Sequence, residues 1–218
     1  MFDLSIIIVT FQSQNEIGNC LNSIYEKFKT FNYEIIIIDN NSKDKTVQII
    51  RDFYPNVKLL INKINLGYSK ANNIAVSKSQ SKYLLFLNPD TVIIGSEIKK
   101  MLEYMVNNES VGVIGPKILK TNNNVRLSYG DHPRLMSSFI ELFKLGWLFK
   151  RNEFGNKIDS CANIKPVNVG WVSGACMLIK KQTFLLVEGF DENIFMYGED
   201  VDLCLRLKKM GYLIVFFP

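Results

Sequence analysis

The 218-residue sequence has one histidine, four scattered cysteines and no long apolar run. The single histidine, His132, excludes histidine-rich metal sites and is the only residue that could serve a Ser-His-Asp triad. No two cysteines have the spacing of a zinc or redox site, and their apolar neighbours favour reduced core residues. No run approaches the roughly 18 apolar residues of a membrane span, and the chain does not start like a signal peptide. These absences predict a soluble, cytoplasmic protein.

The residues that are present have the composition of a globular chain. Hydrophobic residues make up 47% and charged residues 22%, which excludes a disordered chain, a collagen-like repeat and a coiled coil. The net charge of +5 fits an anionic ligand or an anionic membrane face, and it is weak evidence for nucleic acid, which we do not expect as a partner. The length and the lack of a linker predict a single domain, 1–218.

Short apolar runs alternate with amphipathic segments in the first part of the chain. Continuous apolar runs are typical of strands buried on both faces, and they cover 4–9, 33–38, 57–61 and 83–87. Apolar residues at helical spacing predict helices over 16–28, 44–54 and 71–77. The alternation predicts an α/β fold with a mostly parallel central sheet flanked by helices.

Beyond residue 90 the pattern is less regular. We predict helices over 97–106 and 200–210 and strands over 111–114, 167–169, 172–179 and 212–217. The stretch 117–165 is irregular, with a turn at 122–124. Within it, 135–149 is apolar-rich; a core or dimer contact is favoured over a membrane-binding face, and both stay open.

Polar residues follow each of the first four predicted strands. In open α/β sheets ligands bind at the carboxyl ends of the strands, so these residues should meet. Carboxylates, amides and a hydroxyl suit a nucleotide, with one carboxylate left to hold a divalent cation on its phosphates. The residues, in strand order, are Thr10 and Phe11, Asp39 and Asn40, Asn65 and Gly67, and Asn88 and Asp90.

Each of these groups also has a purely structural interpretation. The segment that starts at Asp39 could be a turn and helix cap, Asn65 to Gly67 a plain turn, and Asn88 to Asp90 a turn that ends a strand. Their joint placement at successive strand ends favours a site. No dinucleotide-type glycine signature and no phosphate loop ending in Gly-Lys-Ser/Thr follows any run, which argues against a dehydrogenase and an ordinary NTPase.

Five blocks in order resemble glycosyltransferase family 2, and the order and spacing of the motifs in the C-terminal block, 171–206, resemble its rhamnosyltransferase-like branch. The blocks are IVTF at 8–11, IDNNS at 38–42, NLGYSKANN at 65–73, LNPDT at 87–91, and WVSGAC at 171–176 with GFDE and FMYGEDVDLCLR at 189–206. The resemblance implies an A-type glycosyltransferase fold with a nucleotide-sugar-binding half, 1–115, and an acceptor-binding half, 116–218.

The resemblance also implies roles for individual residues. Thr10 and Phe11 would line the base pocket, and Asp39 would accept a hydrogen bond from the base imide or ribose. The remaining nucleotide-sugar contacts would be Asn40, Asn65, Gly67, Asn73, Asn88, Trp171 and Gly174.

Two acidic positions would carry the chemistry. Asp90 would bind Mg²⁺ or Mn²⁺ on the diphosphate, and Asn88 in place of the family's usual first Asp would weaken that metal site. Asp200, paired with Glu199, would be the general base that takes the proton of the acceptor hydroxyl. The alternative is that both are first-turn acids favoured by the helix dipole. Asp202 and Arg206, four residues apart, should form a helical ion pair.

The chain ends at Pro218, before the position where the family usually has a diphosphate- or metal-binding histidine. We therefore expect a C-terminally truncated fold with an incomplete acceptor half. The resulting hypothesis is an inverting transferase that moves a sugar, best assigned as rhamnose, from a dTDP- or UDP-linked donor to a saccharide or lipid-linked acceptor in bacterial cell-surface polysaccharide synthesis. The alternative is a non-catalytic nucleotide-sugar-binding module. A homodimer and a peripheral contact with the inner face of the membrane stay open, and the hypothesis requires Asp39 and Asp90 to share one cleft.

Overall fold

The structure is a computed structural model that describes residues 3–29, 32–131 and 165–218. His132, Cys161 and the apolar segment 135–149 lie outside the described residues. The expectations placed on them therefore stay predictions. Within the described ranges, no helix is both long enough and apolar enough to cross a membrane.

Strands and helices alternate strictly in the first half. The elements are β1 Leu4–Thr10, α1 Ile17–Lys27, β2 Tyr33–Asp39, α2 Thr46–Phe53, β3 Lys58–Ile61, α3 Gly67–Lys78, β4 Tyr83–Leu87 and α4 Glu97–Asn107. The four predicted strands are confirmed to within one residue at each end. The predicted helices lie in the right places, although α3 begins four residues earlier than expected, at the glycine itself.

The second half has shorter elements. The described ones are β5 Val111–Pro116, β6 Ile118–Leu119, β7 Val125–Arg126, β8 Tyr129–Gly130, β9 Val167–Asn168, β10 Trp171–Val172, β11 Cys176–Lys180, α5 Lys181–Leu186, α6 Glu199–Lys209 and β12 Leu213–Phe217. The strand expected over 172–179 is two strands, because residues 173–175 leave the extended ladder. Helix α5 was not predicted, and β6 and β7 form a hairpin around the predicted turn at 122–124.

Eight strands form one mixed sheet in the order β3-β2-β1-β4-β11-β5-β12-β9. The pairs β2–β3, β1–β2, β1–β4 and β5–β12 are parallel, whereas β11 runs antiparallel to both of its neighbours. The chain order reverses at β1, which lies between β2 and β4. Open α/β sheets bind their ligands at such a reversal, so a site is expected at the carboxyl ends of these three strands.

The core lies on both faces of the sheet. Side chains alternate along a strand, so Ile6 and Ile8 pack in one layer while Ile7 and Val9 pack in the other. This double burial explains why the β1 and β2 runs are continuously apolar rather than alternating. Three cysteines of the described residues are free and buried, and burial raises the pKa of each thiol to about 12; they are Cys20, Cys176 and Cys204. The interpretation of these three as reduced core residues is confirmed.

Candidate active site

The two halves of the chain meet at the carboxyl edge of β1, β2 and β4. Thr10 and Asp39 end their strands in register with each other. Because β11 is antiparallel to β4, its amino end lies at the same edge, with Cys176 opposite Leu87. The N–H of Asn88 donates to the Ala175 carbonyl over 3.0 Å. Residues that follow β4 and residues that precede β11 therefore belong to one site.

Asp39 is completely buried and is held by two donors. The Thr10 hydroxyl donates to Oδ1 over 3.0 Å, and the N–H of Ser42 donates to Oδ2 over 2.8 Å. These contacts fix the turn after β2, as the structural interpretation expects. Each carboxylate oxygen accepts more than one hydrogen bond, so capacity for a further donor remains. No part of Asp39 is exposed, so a ligand N–H or O–H reaches this carboxylate only when the residues that cover it move.

Asn40 links the turn after β2 to the turn that begins α3. Its Nδ2 donates to the Gly67 carbonyl over 3.0 Å, while its Oδ1 accepts from Asn62 Nδ2 over 2.8 Å. Asn65 Oδ1 accepts from the Gly67 N–H over 2.9 Å and closes the second turn. Gly67 has φ +79°, a left-handed conformation that glycine adopts without strain. Two of the predicted strand-end groups are thus joined directly.

Phe11 is the one large aromatic side chain that the turn after β1 presents to solvent, with 47% of its surface exposed. The loop beneath it is tied to the loop before α2. The N–H of Gln12 donates to Ser42 Oγ and the N–H of Ser13 donates to Thr46 Oγ1, each over 2.8 Å. Phe11, the predicted base-pocket residue, therefore has a solvent-exposed ring on a loop whose backbone is held by hydrogen bonds.

Asp90 follows β4 and is exposed, and Asn88 is half-buried two residues before it. Among residues 3–29, 32–131 and 165–218, no three His, Cys, Asp or Glu side chains are grouped as metal ligands. Mg²⁺ is often held by one or two carboxylates together with substrate phosphates. A single accessible carboxylate, with an amide side chain two residues earlier in the chain, fits such a substrate-completed site and does not fit a metal held by protein ligands alone.

Glu199 and Asp200 begin α6, directly after Gly198. Asp200 Oδ2 accepts from the N–H of Gly174 over 2.9 Å, and its Oδ1 accepts from the N–H of Val201 over 2.8 Å. Asp200 is half-buried, whereas Glu199 is buried, and Glu199 Oε2 has no hydrogen-bond partner in the described part of the chain. Burial and then the charge of Asp200 raise the pKa of Glu199. The two carboxylates therefore differ: one is accessible and fixed, and the other is desolvated.

Tyr68 connects the two sides of the site, and sequence reasoning did not identify it. Its hydroxyl donates to the Gly174 carbonyl over 2.9 Å, and the N–H of the same glycine holds Asp200. Burial, followed by the charges of Glu199 and Asp200, raises the pKa of Tyr68, so the hydroxyl stays a donor at neutral pH. The only sequence signal was its place next to Gly67.

Two predicted site residues make other contacts. Asn73 Nδ2 donates to the Phe190 carbonyl over 2.8 Å and its Oδ1 accepts from the Phe190 N–H over 3.0 Å, so its amide holds the segment that leads towards α6. Trp171 lies in the small β8–β10 sheet, where it packs on the core and covers Gly130. Neither contact tests the predicted sugar-binding roles. The predicted pair of Asp202 and Arg206 is confirmed, at 2.6 Å.

A cavity of about 860 Å³ lies at the opposite edge of the sheet. Its lining includes Tyr83, which begins β4, and Lys180, which ends β11. It contains none of the predicted site residues. The strand ends, and not this cavity, therefore bring the candidate residues together.

Comparisons with known proteins identify the family of the chain. The sequence profile of glycosyl transferase family 2 matches residues 5–180. N-acetylglucosaminyl-diphospho-decaprenol L-rhamnosyltransferase of Mycobacterium tuberculosis is 32% identical over 197 residues, which cover 84% of this chain and 64% of that protein. Rhamnosyltransferase WbbL of Escherichia coli K12 is 29% identical over 98% of this chain and 80% of its own length.

The fold has solved counterparts. The crystal structure of GalNAc-T7 with UDP, GalNAc and Mn²⁺ superposes with a TM-score of 0.72 at 16% identity, covering 100% of this chain and 43% of that one. At this identity the likeness shows the fold alone, which is the expected A-type glycosyltransferase fold. The chain spans 64% of the length of the mycobacterial relative. On the profile match and these relatives, the chain belongs to glycosyl transferase family 2.

Proposed function

We propose that the chain carries the catalytic site of an inverting glycosyltransferase that uses a nucleotide-diphosphate sugar. The observation that carries the proposal is the link from Asp200 through Gly174 to the edge where Asp39 and Asn88 lie. One carboxylate at the end of β2 and another at the start of α6 would suit a ligand that needs recognition at one end and a base at the other. Rhamnose is the favoured sugar, because the M. tuberculosis and E. coli relatives are named as rhamnosyltransferases.

The donor would lie along the strand ends of residues 1–115. The exposed ring of Phe11 offers a stacking face for a base, and Asp39 offers a buried acceptor for a base imide or ribose hydroxyl. The turn at Gly67 allows close backbone approach to the ribose or diphosphate. A dTDP- or UDP-linked sugar fits this arrangement, and the acceptor would enter from the side of residues 116–218.

Asp90, with the amide oxygen of Asn88 nearby in sequence, would hold Mg²⁺ or Mn²⁺ once the donor phosphates complete the ligand set. When bound, the ion would neutralise charge on the departing nucleoside diphosphate. A protein of the same fold was crystallised with UDP, GalNAc and Mn²⁺, which supports testing Mn²⁺.

Asp200 would take the proton of the acceptor hydroxyl as that oxygen attacks the anomeric carbon. The bond between this carbon and the diphosphate oxygen breaks on the opposite face, so one displacement inverts the centre. The two backbone N–H groups fix the carboxylate in place without occupying all of its acceptor capacity. A base held within hydrogen-bond reach of its substrate contributes about 10² to 10⁴ in rate.

The test is a transfer assay with dTDP-rhamnose and UDP-sugars, with Mg²⁺ or Mn²⁺, comparing wild type with Asp200→Asn. We expect the variant to lose transfer and to bind the donor as wild type does. Asp202→Asn is the matched control, since it changes a carboxylate of the same helical turn that pairs with Arg206. Loss of donor binding in Asp200→Asn would contradict the base assignment, and failure of every donor to react would contradict the enzyme.

One observation favours a second function, a non-catalytic nucleotide-sugar-binding module. Asn88 stands where an acid would strengthen a metal site. Calorimetry with UDP and dTDP separates the two proposals. Binding that does not depend on Mn²⁺, together with no transfer from any donor, favours the module.

We also propose, as part of the first function, that the protein acts in the cytoplasm in cell-surface polysaccharide synthesis. Three free, buried thiols fit a reducing compartment. Contact with a membrane face and self-association are further proposals, which vesicle co-sedimentation and light scattering would test.

A further inference from the structure

Three consecutive large apolar side chains are exposed directly before the acidic pair of α6. Phe195, Met196 and Tyr197 expose 56%, 47% and 85% of their surface. Single exposed apolar residues are common on protein surfaces, but a contiguous apolar group indicates an interaction site. The residues of this group, here called the aromatic platform, lie three to five positions from Asp200, which we propose as the base.

The backbone of the platform is fixed against the donor side of the site. The Phe195 carbonyl accepts from the N–H of Tyr68 over 2.7 Å. Gly67 lies so close that a Cβ atom there would be 2.5 Å from that carbonyl oxygen. The platform therefore bridges the turn assigned to the donor and the carboxylate assigned to the base. The acceptor sugar also has to bind between the donor and the base.

Tyr197 is presented by a backbone conformation that tyrosine rarely adopts. Its φ is +70°, and that of Gly198, the next residue, is +97°. A bulky residue with positive φ is uncommon and strained, and such residues cluster at functional sites. The most exposed ring of the platform is thus held outward by two successive left-handed residues, immediately before the acidic pair.

The charged residues near the aromatic platform indicate which kind of ligand it binds. The segment 191–202 contains five acidic residues and no Lys or Arg, although Glu192 pairs with Lys70 and Asp202 pairs with Arg206. An anionic membrane surface is not favoured as the ligand, because such surfaces attract clusters of Lys and Arg and this segment has none. A neutral pyranose has an apolar C–H face that packs on aromatic rings, and its edge hydroxyls are donors that carboxylates accept.

We propose that Phe195, Met196 and Tyr197 bind the acceptor sugar, with a pyranose ring stacked on Tyr197 and its reacting hydroxyl directed to Asp200. This inference rests on the proposed transferase function and deepens it. It assigns the acceptor as a saccharide, or as the sugar part of a lipid-linked saccharide, recognised through its ring face.

The test measures the binding of octyl glycosides of glucose, galactose, rhamnose and N-acetylglucosamine by saturation-transfer NMR. Tyr197→Asn removes the ring and keeps a residue that tolerates positive φ, and Tyr197→Phe keeps the ring. Phe53→Ala is the control, because Phe53 is a 72%-exposed aromatic at the end of α2. For the glycosides that bind wild type, we expect Tyr197→Asn to raise the dissociation constant about 10-fold, or about 1.4 kcal/mol. Tyr197→Phe and Phe53→Ala should remain close to wild type.

Donor hydrolysis without acceptor separates this inference from the proposed function. The inference is overturned if no glycoside binds wild type, or if Tyr197→Asn binds as tightly as wild type, while the donor is still bound and hydrolysed. Loss of co-sedimentation with phosphatidylglycerol vesicles in Tyr197→Asn, with unchanged glycoside binding, would also overturn it and would assign the platform to a membrane. Absence of any donor binding or hydrolysis would instead contradict the transferase itself.

Discussion

Asp39→Asn tests whether the buried carboxylate after β2 is a nucleotide ligand or only part of a turn. Asparagine has nearly the same shape, but a single acceptor oxygen replaces the two that now accept from Thr10 and from the Ser42 N–H. One of these two donors must then face an NH₂ group. A hydrogen bond to a charged group contributes about 1.5–3 kcal/mol, and leaving a buried donor unsatisfied costs a similar amount.

This loss predicts two separate effects. At roughly 2–4 °C per kcal/mol for a domain of this size, the melting temperature should fall by about 3–12 °C. If Asp39 also accepts from the base or ribose, the dissociation constant for dTDP should rise by about 10- to 100-fold, since about 1.4 kcal/mol corresponds to a factor of ten. Thermal unfolding and calorimetry at a temperature where the variant is fully folded measure both effects.

Asp44→Asn is the matched control for this experiment. Asp44 lies in the same loop, and its Oδ1 accepts from the N–H of Thr46, which begins α2. We expect this variant to lose stability and to keep nucleotide affinity. If Asp39→Asn behaves in the same way, with a lower melting temperature and unchanged affinity for dTDP and UDP, Asp39 is only a turn residue and the donor assignment is wrong.

Three further predictions concern the site. Gly67→Ala should lower the free energy of unfolding by at least about 1–2 kcal/mol, because φ is +79° and the new Cβ would lie 2.5 Å from the Phe195 carbonyl oxygen. Chemical denaturation measures this change, and an unchanged free energy of unfolding would contradict the close packing. Burial raises the pKa of Glu199 above its ordinary value of 4.5. Protonation of Glu199 therefore stabilises the folded state, fully at pH values below 4.5, and this stabilisation is lost as the pH rises through the pKa of the folded state. Glu199→Gln should therefore gain stability relative to wild type as pH rises from 4 to 8, and a constant difference across this range would exclude the burial effect. Tyr68→Phe leaves the Gly174 carbonyl without its donor, so we expect slower transfer with unchanged donor affinity; transfer at the wild-type rate would show that Tyr68 does not position Asp200.

The parallel part of the fold was predictable because a strand that is buried on both faces is apolar at every position. Ile6 and Ile8 pack in one layer and Ile7 in the other, so every position of the run is apolar. The insertion of β11 between β4 and β5 was not predictable in this way. A short apolar strand does not indicate its direction, and the partners of β11 lie 64 to 97 residues earlier in the chain. Helix α5 was missed because it is only six residues long and follows β11 with no residue between them.

The same distinction holds in the site. Asp39 and Asn40 could be selected because the strand-end rule needs only local sequence. Tyr68 could not, because its contact with Gly174 joins residues 106 positions apart. Asn73 was assigned to the donor from the family resemblance alone. Its side-chain amide forms hydrogen bonds with the backbone of Phe190, 117 residues further along the chain. Local sequence does not reveal this structural role.

The central claim is that Asp39 and Asp90 hold opposite ends of one nucleotide-sugar donor, and calorimetric titration of dTDP with and without Mn²⁺ tests it most directly. Mn²⁺ should tighten dTDP binding to wild type and have no effect on Asp90→Asn, while Asp39→Asn should bind weakly in both conditions. Equal affinity for dTDP in all three proteins, unaffected by Mn²⁺, would contradict the claim.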